Sequence, residues 1–158
     1  METRADWPGA QDNRMKTKMP IISTLLFILA ALSLVNGIAM FFAPHSWFFV
    51  LVPGVPETGS FNAHLVQDGG TFNLAIGVGL LMAAVDPARH VSAVVIAAVA
   101  TLMHSVLHIY SHEAGLLSLK YIGTEIGGIY IPTIVLIALA AYLLRSPRPA
   151  IAAARSAA

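Results

Sequence analysis

Four apolar runs, each about as long as a bilayer is thick, constrain this chain more than any other feature. They cover residues 21–42, 61–85, 91–112 and 122–144. About 20 consecutive apolar residues span the 30 Å hydrocarbon layer as a helix. Backbone polar groups in lipid must be satisfied within the segment, so runs of this kind are read as helices. The predicted fold class is therefore all-α, a four-helix transmembrane bundle. Composition points the same way. Only 11% of the 158 residues are charged and 57% are hydrophobic, whereas a soluble domain carries about 25% charged residues. The chain predicts one transmembrane domain over 19–145, a polar tail over 1–18 and an Ala/Arg tail over 146–158. Both tails read as segments without a packed structure of their own.

Lysine and arginine give the expected orientation. Arg4, Arg14, Lys16 and Lys18 precede the first run, Arg89 lies in the second loop, and Arg145, Arg148 and Arg155 follow the fourth run. The first loop, 43–60, has neither residue, and the third, 113–121, has only Lys120. Positive residues stay cytoplasmic, so both termini are expected inside and loops one and three outside. The localisation this implies is multi-pass, in a bacterial cytoplasmic membrane. A polar lead of about 20 residues before a full-length apolar run reads as a retained anchor rather than a cleaved leader.

The net charge of +1 and the lack of a basic stripe exclude nucleic acid as an expected partner. With no cysteine in the chain, disulfides, thiolate ligands and cysteine nucleophiles are excluded as well. No catalytic motif is present, so the chain is not expected to be an enzyme by itself.

Loop one is apolar but too short to span. It runs Ala43-Pro44-His45-Ser46-Trp47-Phe48-Phe49-Val50-Leu51-Val52-Pro53-Gly54-Val55-Pro56. Its aromatic residues suit the headgroup boundary. It is expected to lie along the outer interface or over the bundle, with a turn at Pro53-Gly54 and Ser60 or Asn62 capping the next helix.

Ionisable groups inside the runs crowd toward one face of the membrane, and charges there are costly enough to mark functional sites. His64 and Asp68 are four residues apart, as are His104 and His108, so each pair shares a helix face. At 1.5 Å per residue, Asp68, His108, His104 and Asn36 lie about 6–12 Å below the outer helix ends, and Glu125 about 5 Å. Bundles build metal and cofactor sites from such convergent side chains. The expected ligands are His64, Asp68, His104 and His108, with Asn36, Asn62, His112 and Glu125 in supporting or peripheral positions. Imidazole and carboxylate without thiolate suit copper or zinc; Met40 and Met103 are soft donors at similar depth, though Met is also a common core filler. An ion pair from Asp68 to His104 or His108 without any metal satisfies the same groups, and residue types do not choose between the two. His112 reads as solvated and Glu125 as interfacial, paired with Lys120. The H-x-x-x-H spacing lacks the glutamate of a zinc protease.

Gly69, Gly70, Gly77 and Gly79, then Gly123, Gly127 and Gly128, are read as close-packing positions, Gly123 and Gly127 forming a G-x-x-x-G. Pro132 predicts a kink in the fourth helix, with Thr133 meeting a freed carbonyl. Asn73 is expected to bond across to another helix.

The segment Pro53-Gly54-Val55-Pro56-Glu57-Thr58-Gly59-Ser60-Phe61-Asn62-Ala63-His64-Leu65-Val66-Gln67-Asp68-Gly69-Gly70 resembles a pattern in small bacterial four-helix membrane proteins of the DoxX-like kind. In that pattern P-G-V, T-G-x-F-N-x-H and D-x-G recur before a histidine-bearing third helix. The resemblance implies the four-span layout and treats Asn62, His64 and Asp68 as one unit. Those proteins often place arginine before the aspartate. Here it is Gln67, which leaves Asp68 dependent on histidine or metal.

The functions expected from this reading are an accessory or assembly subunit of a larger membrane complex, surrounded by lipid and other subunits, with an outward His/Asp site for copper or zinc. The alternatives are a haem- or quinone-binding redox protein and a proton or solute transporter.

Overall fold

The computed structural model describes residues 8–146, with side chains from Met19 onward. The outer parts of the two tails, residues 1–7 and 147–158, with Arg4, Arg148 and Arg155, lie outside it. Among the described residues there is helix and loop but no strand. Helix α1 runs Pro8–Phe42, so its backbone starts well inside the segment expected to be a tail. The short α2 is Pro44–Ser46, α3 is Ala63–Val85, α4 is Val91–Glu113, α5 is Ile122–Glu125 and α6 is Ile131–Arg145. Four stretches are long and apolar enough to cross a membrane: Met19–Phe42, Ala63–Val85, Val91–Glu113 and Leu119–Arg145. Their outward faces carry Phe27, Leu32, Val35, Ile96 and Ile134, all well exposed. Such surface is at home in a bilayer and incompatible with water.

The four spans share one core, and it fills only one end of the bundle. Ile22, Leu26 and Ala30 of α1 meet Leu80, Ala83 and Ala84 of α3, Val91, Val94, Ala97 and Ala98 of α4, and Leu136, Leu139, Ala140 and Leu143 of α6. This is the end of the 86–90 loop, where both the start of the first span and the end of the last one lie.

Toward the opposite end the spans sort into two pairs. There α3 packs on α1 through a seam of small residues. A methyl group built on Gly70 would lie 3.0 Å from Gly37 O and Phe41 N, and one on Gly77 would strike Leu34. Such proximity lets the two backbones approach closely. Polar bonds reinforce the seam: Ser33 Oγ donates to Asn73 O, and Gln67 Nε2 to Phe41 O. Asn73 Nδ2 donates across to Met40 Sδ of α1 at 3.6 Å, the expected bond to another helix, and also to Gly69 O of its own helix at 3.1 Å. In the other pair, α4 buries Ser105 against Thr133 of α6, with 2.9 Å between their hydroxyl oxygens.

The fourth span is not one regular helix. A 3-10 turn (Leu119–Tyr121), α5, a π-turn (Ile126–Tyr130) and α6 follow one another. Pro132 sits in the first turn of α6, and Thr133 Oγ1 donates to Ile129 O, four residues back, at 2.8 Å. The carbonyl that Pro132 leaves without its helical donor is that of Gly128, so Thr133 does not meet the freed group expected of it. The G-x-x-x-G expectation fails here. Nothing lies within 4 Å of a methyl group built on Gly123, Gly127 or Gly128, so these glycines pack against no other part of the described chain.

Loop one folds over the pairs. Asn62 caps α3 by accepting from Leu65 N. The Pro53-Gly54 turn is present, with Gly54 at φ +91°, where a side chain would also collide with the Tyr121 ring. Phe48 is buried with Met40 and Val66, and Trp47, Val55 and Phe61 pack around them. Glu57 Oε1 accepts from Lys120 Nζ at 2.8 Å and from Tyr121 OH at 3.0 Å. Loop one is thereby clasped to the segment between α4 and α5.

Candidate functional site

The polar side chains of α4 form a stripe. Thr101, Ser105, His108 and His112 follow at intervals of four, three and four, and such positions share one helix face. The stripe faces the fourth span. Thr133 meets Thr101 O and Ser105. Nearer the loop-one end, Glu125 meets His108 and His112. In a regular helix Glu125 would sit roughly 80° around from Thr133. The additional residue of the intervening π-turn rotates it back to within about 20°. That local irregularity brings both residues onto α4.

Glu125 is buried, its side chain 7% exposed, and each carboxyl oxygen faces an imidazole. Oε2 lies 2.8 Å from His112 Nε2 and Oε1 lies 3.3 Å from His108 Nδ1. The first contact is a short hydrogen bond. The second is off the line of a hydrogen bond and leaves His108 Nδ1 without a formal partner, so it is an electrostatic contact. His104 stacks edge-on against His108, with ring centroids 4.6 Å apart.

The protonation of this site follows from its partners. His112 Nδ1 lies 3.0 Å from Leu117 O. A carbonyl only accepts, so Nδ1 carries a hydrogen. Nε2 then either donates to a carboxylate as imidazolium or accepts from a neutral Glu125. Both descriptions place one proton on the line between His112 Nε2 and Glu125 Oε2.

The expected ligand set does not converge. His64 and Asp68 pair with each other at 3.6 Å, with side chains 86% and 51% exposed. Among the described residues no ion pair or hydrogen bond joins Asp68 to His104 or His108. His104 and His108 belong with Glu125 instead. No group of three or more His, Asp or Glu among the described residues is arranged to hold a metal ion. The supporting residues also take other work. Asn36 Oδ1 accepts from Trp47 Nε1 at 2.8 Å and ties loop one to α1, while Asn62 is the α3 cap. Gln67 reaches Phe41 O, on the side of α3 that packs against α1. Met40 is buried in the α1–α3 seam and Met103 is exposed.

His112 is neither solvated nor peripheral, and Glu125 is not paired with Lys120, which takes Glu57. The signal that identifies the site in the sequence is the Thr101–Ser105–His108–His112 stripe. Without the π-turn there is no reason to place Glu125 opposite it. Comparisons of the chain with family models, with curated proteins and with solved structures each find no match.

Proposed function

We propose that the protein is an accessory subunit of a larger membrane complex, and that it holds one exchangeable proton between Glu125 and the imidazoles of His112 and His108 near the outer membrane face. The observation that carries this reading is the buried carboxylate whose two oxygens both face imidazole nitrogens. A carboxylate buried in this way is neutralised by a proton or a partner charge. Imidazole changes charge near neutral pH and is the usual proton shuttle. The donors are of the types that also bind zinc or copper. Here, however, the nitrogens are turned onto the carboxylate oxygens themselves, which favours a proton as the occupant.

The apolar end of the bundle supports a subunit role over a transporter. Its buried residues are Ile, Leu, Val and Ala, with Tyr142 packed beside them. Among the described residues the buried polar side chains, Ser105, Glu125 and Thr133, stop short of this core, which favours exchange with one face or with a neighbouring subunit. The expected orientation puts that face outside.

Infrared difference spectroscopy of the purified protein through a pH titration tests the site. The expected result is a carboxyl band that titrates together with imidazole bands, and whose loss in Glu125→Gln changes the imidazole signal. Imidazole bands identical in the wild type and in Glu125→Gln sink the reading.

A further inference from the structure

The spans' polar side chains are nearly all turned inward or bonded to a neighbour. Ser33, Asn36, Gln67, Asn73, Thr101, Ser105, Thr133 and Glu125 each have a partner inside the chain. His104 and Asp68 are both exposed inside their spans; His104 stacks on His108, and Asp68 is the carboxylate of the two. It lies five residues into its span, and its carboxylate is half exposed with a more exposed His64 as its neighbour. A charge facing hydrocarbon is costly, and intramembrane carboxylates normally face protein or a counter-charge. Around Asp68 the same face of α3 shows Leu65, Thr71, Phe72 and Ala75, all exposed. One charge, small residues four apart and apolar flanks are the make-up of transmembrane helix contacts.

We infer that this face of α3 docks a transmembrane helix of a different subunit, one that carries a lysine or arginine at the depth of Asp68. The inference rests on the accessory-subunit reading above and names the surface and the charge of the partner. A second copy of this chain fits less well. Copies with the same topology that pack α3 against α3 bring Asp68 beside Asp68, and like charges in lipid repel. A cation from another chain satisfies the carboxylate and removes it from hydrocarbon.

The chain has no cysteine, so a single introduced thiol reports the face cleanly. Leu65→Cys and Thr71→Cys are placed in the full chain and labelled with a lipid-soluble maleimide. Labelling is compared between cells making the protein at its natural level and cells overproducing it without a partner. The expected result is labelling about tenfold slower at the natural level, while Leu107→Cys on α4 labels equally in both. Asp68→Asn is expected to restore fast labelling and to shift the wild-type assembly to smaller mass on native gels, and Asp68→Glu to leave both unchanged. Equal labelling of Leu65→Cys and Thr71→Cys in the two settings overturns the docking face. So does an assembly of unchanged mass in Asp68→Asn. If the wild type still migrates as a large assembly in those cases, the subunit reading survives without this surface. If it migrates alone or with copies of itself, both fall.

Discussion

His112 shows how one backbone bond fixes the chemistry of a side chain. Because Leu117 O can only accept, the hydrogen on Nδ1 is assigned and Nε2 is committed to Glu125. Removing the carboxylate outright should therefore cost far more than neutralising it. Glu125→Ala leaves two imidazoles without a counter-group at a buried position, and breaking a buried pair from one side costs about 3–5 kcal/mol. Glu125→Gln keeps the shape and offers an amide hydrogen to Nε2, so the expected loss is about 1–3 kcal/mol. His64→Ala, at an exposed pair, should change stability by less than about 1 kcal/mol. Thermal unfolding in detergent, followed by circular dichroism, checks the order of the three. Equal losses for the two Glu125 variants would show that its charge is not used.

At the scale of the helix, two sets of glycines that look alike in sequence do opposite things. Gly70 lies where a methyl group meets backbone atoms of α1 at 3.0 Å, whereas Gly123 has open space. Gly70→Ala must push two helices apart and should destabilise by about 1–3 kcal/mol, the usual cost of overpacking. Gly123→Ala gains helix propensity and should be neutral or stabilising by up to about 1 kcal/mol. The same melting measurement decides, and a neutral Gly70→Ala would refute the seam. The contrast also shows what can be read from residues alone. Span lengths, the Pro53-Gly54 turn and the Asn62 cap all follow from local chemistry that residue type and spacing record. Which face a residue presents after a helix break does not. The π-turn at Ile126–Tyr130 rotates Glu125 onto α4 and leaves Gly123 and Gly127 outside, and nothing in the spacing announces an inserted residue. Depth along the membrane placed Asp68 and His104 together. Rotation about their helices, which depth does not record, separates them.

For the whole molecule, the question is what holds the two helix pairs together at the end where the common core is absent. Loop one is the tie that the structure shows, through Gly54 against Tyr121 and Glu57 against Lys120 and Tyr121. Lys120 beside Glu57 holds its carboxyl below the ordinary carboxylate value. The sign of the pH dependence follows. A carboxyl group whose folded value is depressed contributes its stabilisation above the unfolded value, about 4.3, and loses it as pH falls through the folded one. The clasp should therefore be unaffected from neutrality down to the ordinary carboxylate range and open only below it. Hydrogen exchange of the 52–58 backbone amides, measured against pH after correction for intrinsic rates, reads this directly. Protection is expected to hold and then drop at the acidic end. Glu57→Gln should lower it above that range to about the level the wild type reaches in acid, and abolish the drop, because Gln still accepts from Tyr121 but no longer pairs with the lysine. An exposed pair contributes little to global stability, so the effect belongs to loop one, and α3 and α4 amides should not follow it. Protection in Glu57→Gln equal to the wild type across the range would show that apolar packing of Phe48, Trp47 and Phe61 keeps the loop down without the ion pair.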